Sequence, residues 1–166
     1  MKPERWPALA YVGIGANLGE ALAAVQDATR RLALLPGTRL VARSSLYRSA
    51  PVDATGDDFV NAVVALETDL PALELLHHLQ AIEQAHGRAR PYRNAPRSLD
   101  LDLLLFADLV LNTEELELPH PRAHLRAFVL LPMAELAPGM QWPGRGPIAS
   151  LLAATASQRI EKIEAP

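Results

Sequence analysis

The sequence predicts an α+β fold in which helices pack on an antiparallel sheet. Segments of alternating apolar and polar residues, typical of strands, are interleaved with segments whose apolar residues recur every three or four positions, as on one face of a helix. Two of the strand segments follow each other with only a turn-rich loop between them. The resulting order, β-α-β-β-α-β, is the ferredoxin-like arrangement, to which the C-terminal part adds an extension of short strands and helices.

Turn residues mark where the elements of the first half begin and end. The strand over residues 9–15 ends in glycines, and the helix that follows it ends at Gly37. A second strand is expected over residues 38–48. The polar loop over residues 49–58 then leads into a third strand over residues 59–68.

The second half of the core is a helix and a strand joined by a basic loop. Pro71 suits the first position of a helix that runs to Gly87, and the last core strand ends at Phe106. No linker-like stretch divides the chain, so we expect residues 1–166 to form a single domain. The expected elements of the extension are strands over 109–111 and 116–118, a helix over 122–137 interrupted at Pro132, and a helix over 147–156.

The composition argues against several classes of protein. With 166 residues and 49% hydrophobic side chains, the chain is long enough to bury a sizeable core. Its net charge of -3 does not provide the basic field of a general nucleic-acid binder, and the absence of cysteine excludes disulfides and thiolate metal sites. Neither a signal-peptide pattern nor an apolar run of about 18 residues occurs, so we expect a cytoplasmic protein without membrane contact.

Two carboxylates interrupt the otherwise apolar stretch "PRSLDLDLLLF", residues 96–106. Because side chains alternate along a strand, Asp100 and Asp102 share one face, and we expect Leu105 to lie with the other odd-numbered leucines on the opposite face. The two aspartate Cα atoms are ~6.6 Å apart in an extended strand, so one cationic centre can serve both carboxylates. Two acids so close repel each other, and positive charge is expected against them.

The basic residues that could supply this charge lie in the segments "HGRARPYRNAPR" and "LPHPRAHLRAF". They are Arg88, Arg90, Arg93, Arg97, His120, Arg122, His124 and Arg126. Arginine binds phosphate oxygens in a bidentate manner, and Mg²⁺ takes hard oxygen ligands from one or two carboxylates together with substrate phosphates. The pattern therefore predicts a Mg²⁺–polyphosphate site, with a structural Asp–Arg network as the alternative. His120, held between two prolines, is a further candidate for contact with phosphate.

The glycines after the first strand do not indicate a nucleotide-binding loop. Gly13, Gly15 and Gly19 have the spacing G-x-G-x-x-x-G, which does not match the dinucleotide-binding fingerprint. We interpret them as a tight turn between the first strand and the first helix. Without cysteine or a serine in a G-x-S-x-G turn, the sequence does not favour nucleophilic catalysis either.

Several segments carry a resemblance to a known family. They are "PRSLDLDLLLF", "GIGANLG", "SSLYRSAPV", "FVNAVVALET", "IEQAHGRAR" and "LPHPRAHLRAFVLLPMAELAP", which together span nearly the whole chain. On these segments the chain closely resembles the 6-hydroxymethyl-7,8-dihydropterin pyrophosphokinases of the folate pathway. The resemblance implies a Mg²⁺-dependent diphosphotransferase that moves pyrophosphate from ATP to the hydroxymethyl group of the pterin and releases AMP.

The resemblance also implies roles for individual residues. Asp100 and Asp102 would hold two Mg²⁺ ions, and together with Arg88 and Arg97 they would be the catalytic residues. ATP would be bound by Glu83, Arg88, Arg97, Leu103, Leu116, His120 and Arg126, with the backbone near Leu103 and Leu116 bordering adenine. The pterin would be bound by Ser49, Ala50, Val52, Phe59, Asn61 and Phe128. Phe59 and Asn61 suit this role because they lie on the same face of their strand.

The chain departs from some relatives at four positions of the implied site, among them Ala50 and Pro121. Phe59 stands where some relatives have tyrosine, and Asn94 lies roughly where some carry a tryptophan in the basic loop. The expected partners are the small molecules ATP and the pterin, bound by a monomer without nucleic acid. Two alternative functions share parts of the pattern: an RNA-recognition domain, which also uses the ferredoxin-like arrangement, and a metal-dependent nuclease or phosphatase with the same D-x-D pair.

Overall fold

A computed structural model describes residues 7–17, 21–49, 59–87 and 99–164. The core elements are β1 (Ala8–Ala16), α1 (Ala21–Ala33), β2 (Thr38–Arg43), β3 (Leu46–Ser49), β4 (Phe59–Thr68), α2 (Ala72–Gly87) and β5 (Asp100–Phe106). The extension consists of β6 (Leu111–Asn112), β7 (Glu117–Leu118), a short 3₁₀ helix (Ala123–Leu125), α3 (Ala127–Leu136), β8 (Gln141–Trp142), β9 (Gly146–Pro147), α4 (Ile148–Ala154) and β10 (Ile160–Glu164). The predicted α+β class, with its βαββαβ core and extension of short elements, is confirmed. Within the described ranges, no helix is long and apolar enough to cross a membrane.

The main sheet is antiparallel, with β1 at its centre. β1 lies between β4 and β5, and the far side of β4 pairs with both β2 and β3. β10 then adds to the edge formed by β3, where Ile160 pairs with Ser49. The last of the described strands therefore lies beside the end of β3, although nothing in the local sequence predicted it.

The strand predicted over residues 38–48 is in fact two strands, β2 and β3, which part at Ser44 and Ser45. Ser44 still joins the β4 ladder, but its hydroxyl accepts the N–H of Val63 at 2.9 Å, in place of a backbone carbonyl. The backbone N–H and the hydroxyl of Ser45 donate to the carboxylate of Glu135 on α3, at 3.0 and 2.7 Å. Because side chains take over these hydrogen bonds, the ladder is interrupted at this point, and α3 is tied to the interruption.

Apolar side chains are buried on both faces of the sheet. Helices α1 and α2 cover one face, where the buried residues include Val12, Val25, Leu32, Leu66, Leu75, Leu79 and Leu101. The extension covers the other face, where Val63 and Leu104 of the sheet are buried with Val129, Leu130, Met133, Trp142 and Ile148 of the extension. Full burial of one large aliphatic side chain stabilises a fold by about 1.5–3 kcal/mol, so both clusters contribute strongly to holding the helices on the sheet.

Leu105 lies on the face opposite to the one predicted. The pairing of β5 with β1 skips Leu104, which is an extra residue in β5. A β-bulge of this kind allows two successive side chains to point the same way, and Leu104 and Leu105 both pack in the cluster under α3. The predicted alternation holds from Asp100 to Leu103, so the two aspartates remain on one face.

The helix predicted over residues 122–137 is interrupted at Arg126 and not at Pro132. The 3₁₀ helix ends at Leu125, Arg126 has the extended angles φ −119° and ψ 118°, and α3 begins at Ala127. Pro132 lies inside α3 and is buried there, so the loss of its one N–H donor does not end the helix. The break places Arg126 at the junction of two helices, beside the cavity described next.

Candidate active site

A cavity of about 730 Å³ lies between the sheet and the start of α3, a volume typical of small-molecule sites. Residues predicted from the sequence for pterin, for metal and for phosphate meet in its lining. They are Ser49, Phe59, Asn61, Asp100, Asp102, Arg126 and Phe128. The cavity therefore combines an acid pair with an amide, two aromatic rings and a cation.

Gly13 and Gly15 lie within β1, and not in the turn that was predicted for them. Gly13 pairs with Asp102, and Gly15 pairs with Asp100 on one side and with Asn61 on the other. Directly opposed residues of an antiparallel sheet have Cβ atoms about 4.5–5.5 Å apart, so a side chain at Gly15 would fill the space between Asp100 and Asn61, and one at Gly13 would lie beside Asp102. The glycines instead leave a bare floor in the cavity, because they carry no side chain.

The carboxylates of Asp100 and Asp102 rise from the neighbouring strand beside this floor, and the Asp102 side chain is 43% exposed. Among the residues that the structure describes, no three His, Cys, Asp or Glu side chains gather closely enough to hold a metal by themselves. A pair of hard-oxygen ligands is nevertheless what Mg²⁺ takes from many enzymes, since it keeps several waters and shares its coordination sphere with substrate phosphates. The donor set therefore fits Mg²⁺ bound together with a polyphosphate.

His120 approaches the acid pair from the segment after β7. Its Nδ1 accepts hydrogen bonds from the backbone N–H groups of Arg122 and Ala123, both at 3.1 Å, which places the ring hydrogen on Nε2. Nε2 lies 4.0 Å from Oδ1 of Asp102. Burial lowers the pKa of His120; the charge of Asp102 opposes this shift and that of Arg126 adds to it. The ring is thus a neutral N–H donor near neutral pH, directed toward the acid pair.

Asn61 is held in one orientation at the other side of the floor. It is 4% exposed, and its Nδ2 donates to the hydroxyl of Ser49 at 2.6 Å. Its Oδ1 lies over Gly15, 3.3 Å from the point that a Cβ would occupy there. Phe59, on the same strand face, and Phe128, at the start of α3, line the same cavity. A fixed amide edge with two aromatic faces is suited to a planar heterocycle that forms hydrogen bonds.

Two arginines of the extension contribute positive charge. The guanidinium carbon Cζ of Arg126 lies 5.6 Å from the centroid of the Phe128 ring, within the range of a cation–π contact. Arg159, which directly precedes β10, also lines the cavity together with its neighbour Gln158. Sequence reasoning missed Gln158 and Arg159, because only the pairing of β10 with β3 brings that segment to the site.

Several residues predicted to bind ATP make other contacts or cannot be placed. Leu103 and Leu116 are 3% and 6% exposed and belong to the cluster under α1 and α2, so their side chains face away from the cavity. Oε2 of Glu83 accepts the N–H of Leu101 at 2.7 Å, which ties α2 to the start of β5. Six of the predicted residues lie outside the described residues, and their roles stay predictions: Ala50, Val52, Arg88, Arg90, Arg93 and Arg97.

Comparison with known proteins identifies one family. A model of the family described as 7,8-dihydro-6-hydroxymethylpterin-pyrophosphokinase (HPPK) matches residues 11–138. The chain is similar to the 2-amino-4-hydroxy-6-hydroxymethyldihydropteridine pyrophosphokinase of Pseudomonas aeruginosa, with 46% identity over 92% of this chain and 95% of that protein. The protein of the same name from Methylorubrum extorquens is 41% identical over 93% of this chain and 98% of that protein.

The fold is also similar to solved structures of fused proteins. In wild-type Plasmodium falciparum HPPK-DHPS with SDX-DHP, the TM-score is 0.69 at 13% identity, covering 88% of this chain and 44% of that one. An HPPK-DHPS in complex with substrates gives a TM-score of 0.68 at 12% identity, covering 89% of this chain and 43% of that one. This chain spans less than half the length of those fused proteins, and at such identities the likeness concerns the fold.

Proposed function

Since the chain belongs to the 7,8-dihydro-6-hydroxymethylpterin-pyrophosphokinase family, we propose that it transfers pyrophosphate from ATP to the hydroxymethyl group of 6-hydroxymethyl-7,8-dihydropterin in folate biosynthesis, and that it releases AMP. One observation carries the proposal beyond family membership. A single cavity joins an amide and aromatic lining on β4 and α3 to a carboxylate lining on β5. A transfer from a polyphosphate to a heterocyclic alcohol requires both linings within one site.

The pterin half of the proposed site is built on β4. Asn61 bonds the polar edge of the ring, and its amide is already fixed by the hydrogen bond to Ser49, so little ordering is needed on binding. Phe59 and Phe128 stack on the two faces of the ring. Ala50 and Val52 complete the contacts through the loop before β4.

The phosphate half is built on β5. Asp100 and Asp102 hold Mg²⁺, for which two ions are expected, and this metal requirement is part of the proposal. When bound, Mg²⁺ neutralises charge on the phosphate oxygens and so favours attack at phosphorus. Arg126 supplies a fixed positive charge, and His120 offers a neutral N–H from Nε2. These groups bind and orient the triphosphate.

Further residues complete the proposed ATP site. Arg88 and Arg97 bind phosphate oxygens as bidentate donors. The backbones of Leu103 and Leu116 border adenine. Glu83 acts indirectly, because its hydrogen bond to the backbone of β5 fixes the strand that carries the acid pair.

The transfer makes one bond and breaks another. The hydroxymethyl oxygen bonds to the β-phosphorus and loses its proton to solvent water, the bond from that phosphorus to the oxygen bridging the α and β phosphates breaks, and AMP leaves with the electron pair. The protein contributes by alignment and electrostatics, as in phosphoryl transfer generally, so no side chain is needed as a nucleophile.

The proposal extends to the protein as a whole. We propose that residues 1–166 form a single domain and that the protein is a monomer. It acts in the cytoplasm, where ATP is available, and its partners are small molecules alone. Nucleic acid is not part of it, because Asp100 and Asp102 lie on the sheet face where an RNA-recognition domain would stack its bases, and they would repel the phosphate backbone.

Product analysis tests the proposal. The protein is incubated with ATP, Mg²⁺ and 6-hydroxymethyl-7,8-dihydropterin, and the nucleotides are separated. The proposal requires AMP that appears only when the pterin is present. Formation of ADP would indicate an ordinary kinase, and hydrolysis of ATP without pterin would indicate a phosphatase.

A further inference from the structure

We propose that Gln158 is a positioning residue that holds Arg126 in the orientation in which it receives the phosphates of ATP. The inference rests on the proposed function of the site. It concerns a segment beyond residues 11–138, the part of the chain that the family model matches. Gln158 acts through the backbone on either side of Arg126, and it takes no part in the transfer itself.

The side-chain amide of Gln158 makes two hydrogen bonds that bracket Arg126. Oε1 accepts the backbone N–H of Ala127, and Nε2 donates to the backbone carbonyl of Leu125, each at 2.8 Å. In extended backbone, the carbonyl before a residue and the N–H after it point to the same side, so one amide group can reach both. The pair of bonds therefore forms only while Arg126 keeps its extended conformation, φ −119° and ψ 118°.

Neither backbone group has a helical partner of its own. Leu125 is the last residue of the 3₁₀ helix, and Ala127 is the first of α3, positions at which carbonyl and N–H groups are left unpaired by the helix. Arg126 is the N-cap of α3 and makes no capping hydrogen bond with its side chain. Gln158 supplies the missing partners, so the guanidinium of Arg126 is directed to the cavity and the face of Phe128.

Gln158 is itself fixed by the fold on both sides. Its backbone N–H donates to the carbonyl of Thr155 at 3.0 Å, and Thr155 is buried with its hydroxyl on the carbonyl of Leu152 in α4. Two residues later, Ile160 pairs with Ser49, whose hydroxyl orients Asn61. The C-terminal segment thus connects the two sides of the cavity, and Gln158 is its contact with the side that carries Arg126.

Calorimetry of ATP binding in the presence of Mg²⁺ tests the inference through a double-mutant cycle. The proteins are the wild type, Gln158→Ala, Arg126→Ala and the double variant. Loss of both hydrogen bonds should weaken ATP binding about tenfold in the wild-type background. If Gln158 acts through Arg126, the same change should add less than about twofold when Arg126 is already alanine. The inference would be overturned if Gln158→Ala bound ATP with wild-type affinity. It would also be overturned if the loss of ATP affinity in the double variant equalled the product of the losses in the two single variants.

Two further variants separate the hydrogen bonds from general effects on the fold. Gln158→Met keeps the length of the side chain without its amide and should bind ATP as weakly as Gln158→Ala; full affinity would overturn the inference. Gln80→Ala, at an exposed position of α2, should bind ATP as the wild type does, and an equal loss there would count against a specific role of Gln158.

Melting temperatures show whether the variants are folded. If the wild type bound no ATP, the proposed function would fail together with the inference, whereas unchanged variants of a binding wild type would overturn the inference alone.

Discussion

Asn61 and Asp100 occupy the same rung of the sheet, on either side of Gly15. Adjacent strands are about 4.8 Å apart, so the Cα atoms of Asn61 and Asp100 are separated by roughly 10 Å across a residue without a side chain. A pterin whose polar edge is held by Asn61 would extend over the glycine toward Asp100. The rung therefore links the proposed pterin half of the site to the proposed phosphate half.

Replacing Gly15 by alanine should weaken pterin binding on the order of tenfold and leave ATP binding nearly unchanged. The new Cβ would lie 3.3 Å from Oδ1 of Asn61, which is tighter than ordinary contact, so the amide must shift. Gly139→Ala is the matched control, because Gly139 lies in an exposed turn after α3, away from the cavity lining, and a Cβ there would meet nothing within 4 Å. Calorimetry with each ligand is the measurement, and equal losses of pterin affinity in the two variants would contradict the role of Gly15.

Asp100→Asn and Asp102→Asn should each lower turnover by about a hundredfold or more, because an amide is a much weaker ligand for Mg²⁺ than a carboxylate. Raising the Mg²⁺ concentration should restore part of the activity. Asp108→Asn, in the exposed turn after β5, is the control and should keep full activity. Normal turnover of either site variant at low Mg²⁺ would show that the pair does not hold the metal.

His120 should make the protein less stable as the pH falls below neutrality. Burial lowers its pKa in the folded state, so below about pH 6.5 the unfolded chain takes up a proton that the folded protein does not. The contribution of the neutral His120 ring to the free energy of unfolding is therefore present above that pH and is lost as the pH falls below it. His120→Asn, which can still accept the N–H groups of Arg122 and Ala123, should lose less stability between about pH 7.5 and pH 5. If the free energy of unfolding changed with pH in the same way for the wild type and for His120→Asn, His120 would not be the source of the pH dependence.

Glu135→Gln should lower the free energy of unfolding by about 1–2 kcal/mol at neutral pH, because the carboxylate accepts hydrogen bonds from Ser45 and Tyr47. Although burial acts in the opposite direction, these bonds hold the pKa of Glu135 below its ordinary value. Its contribution is therefore present above the unfolded-state pKa and is lost as the pH falls through the lower folded-state value. Chemical denaturation at several pH values measures this, with Glu161→Gln at an exposed site of β10 as the control. If the difference in unfolding free energy between the wild type and Glu135→Gln were as large in acid as at neutral pH, the Glu135 carboxylate would not be its source.

Local alternation was sufficient to predict which side chains share a face within one strand. It placed Asp100 and Asp102 together, and Phe59 with Asn61, because each pair is two residues apart. It could not show that a glycine of the central strand separates the two pairs, since that depends on the register of three strands at once. The contact of Gln158 with the break before α3 is harder still to predict, because it joins residues about thirty positions apart and no local pattern marks it.

In the proposed reaction, one cavity aligns the hydroxymethyl group of the pterin with the β-phosphorus of ATP. The most direct measurement is a single-turnover reaction with ATP labelled at the γ-phosphorus with ³²P, in which the label and AMP are followed together. Label should enter the pterin product in a one-to-one ratio with the AMP formed, because the β and γ phosphates move as a unit. Label released as inorganic phosphate, or a labelled pterin monophosphate accompanied by ADP, would contradict it.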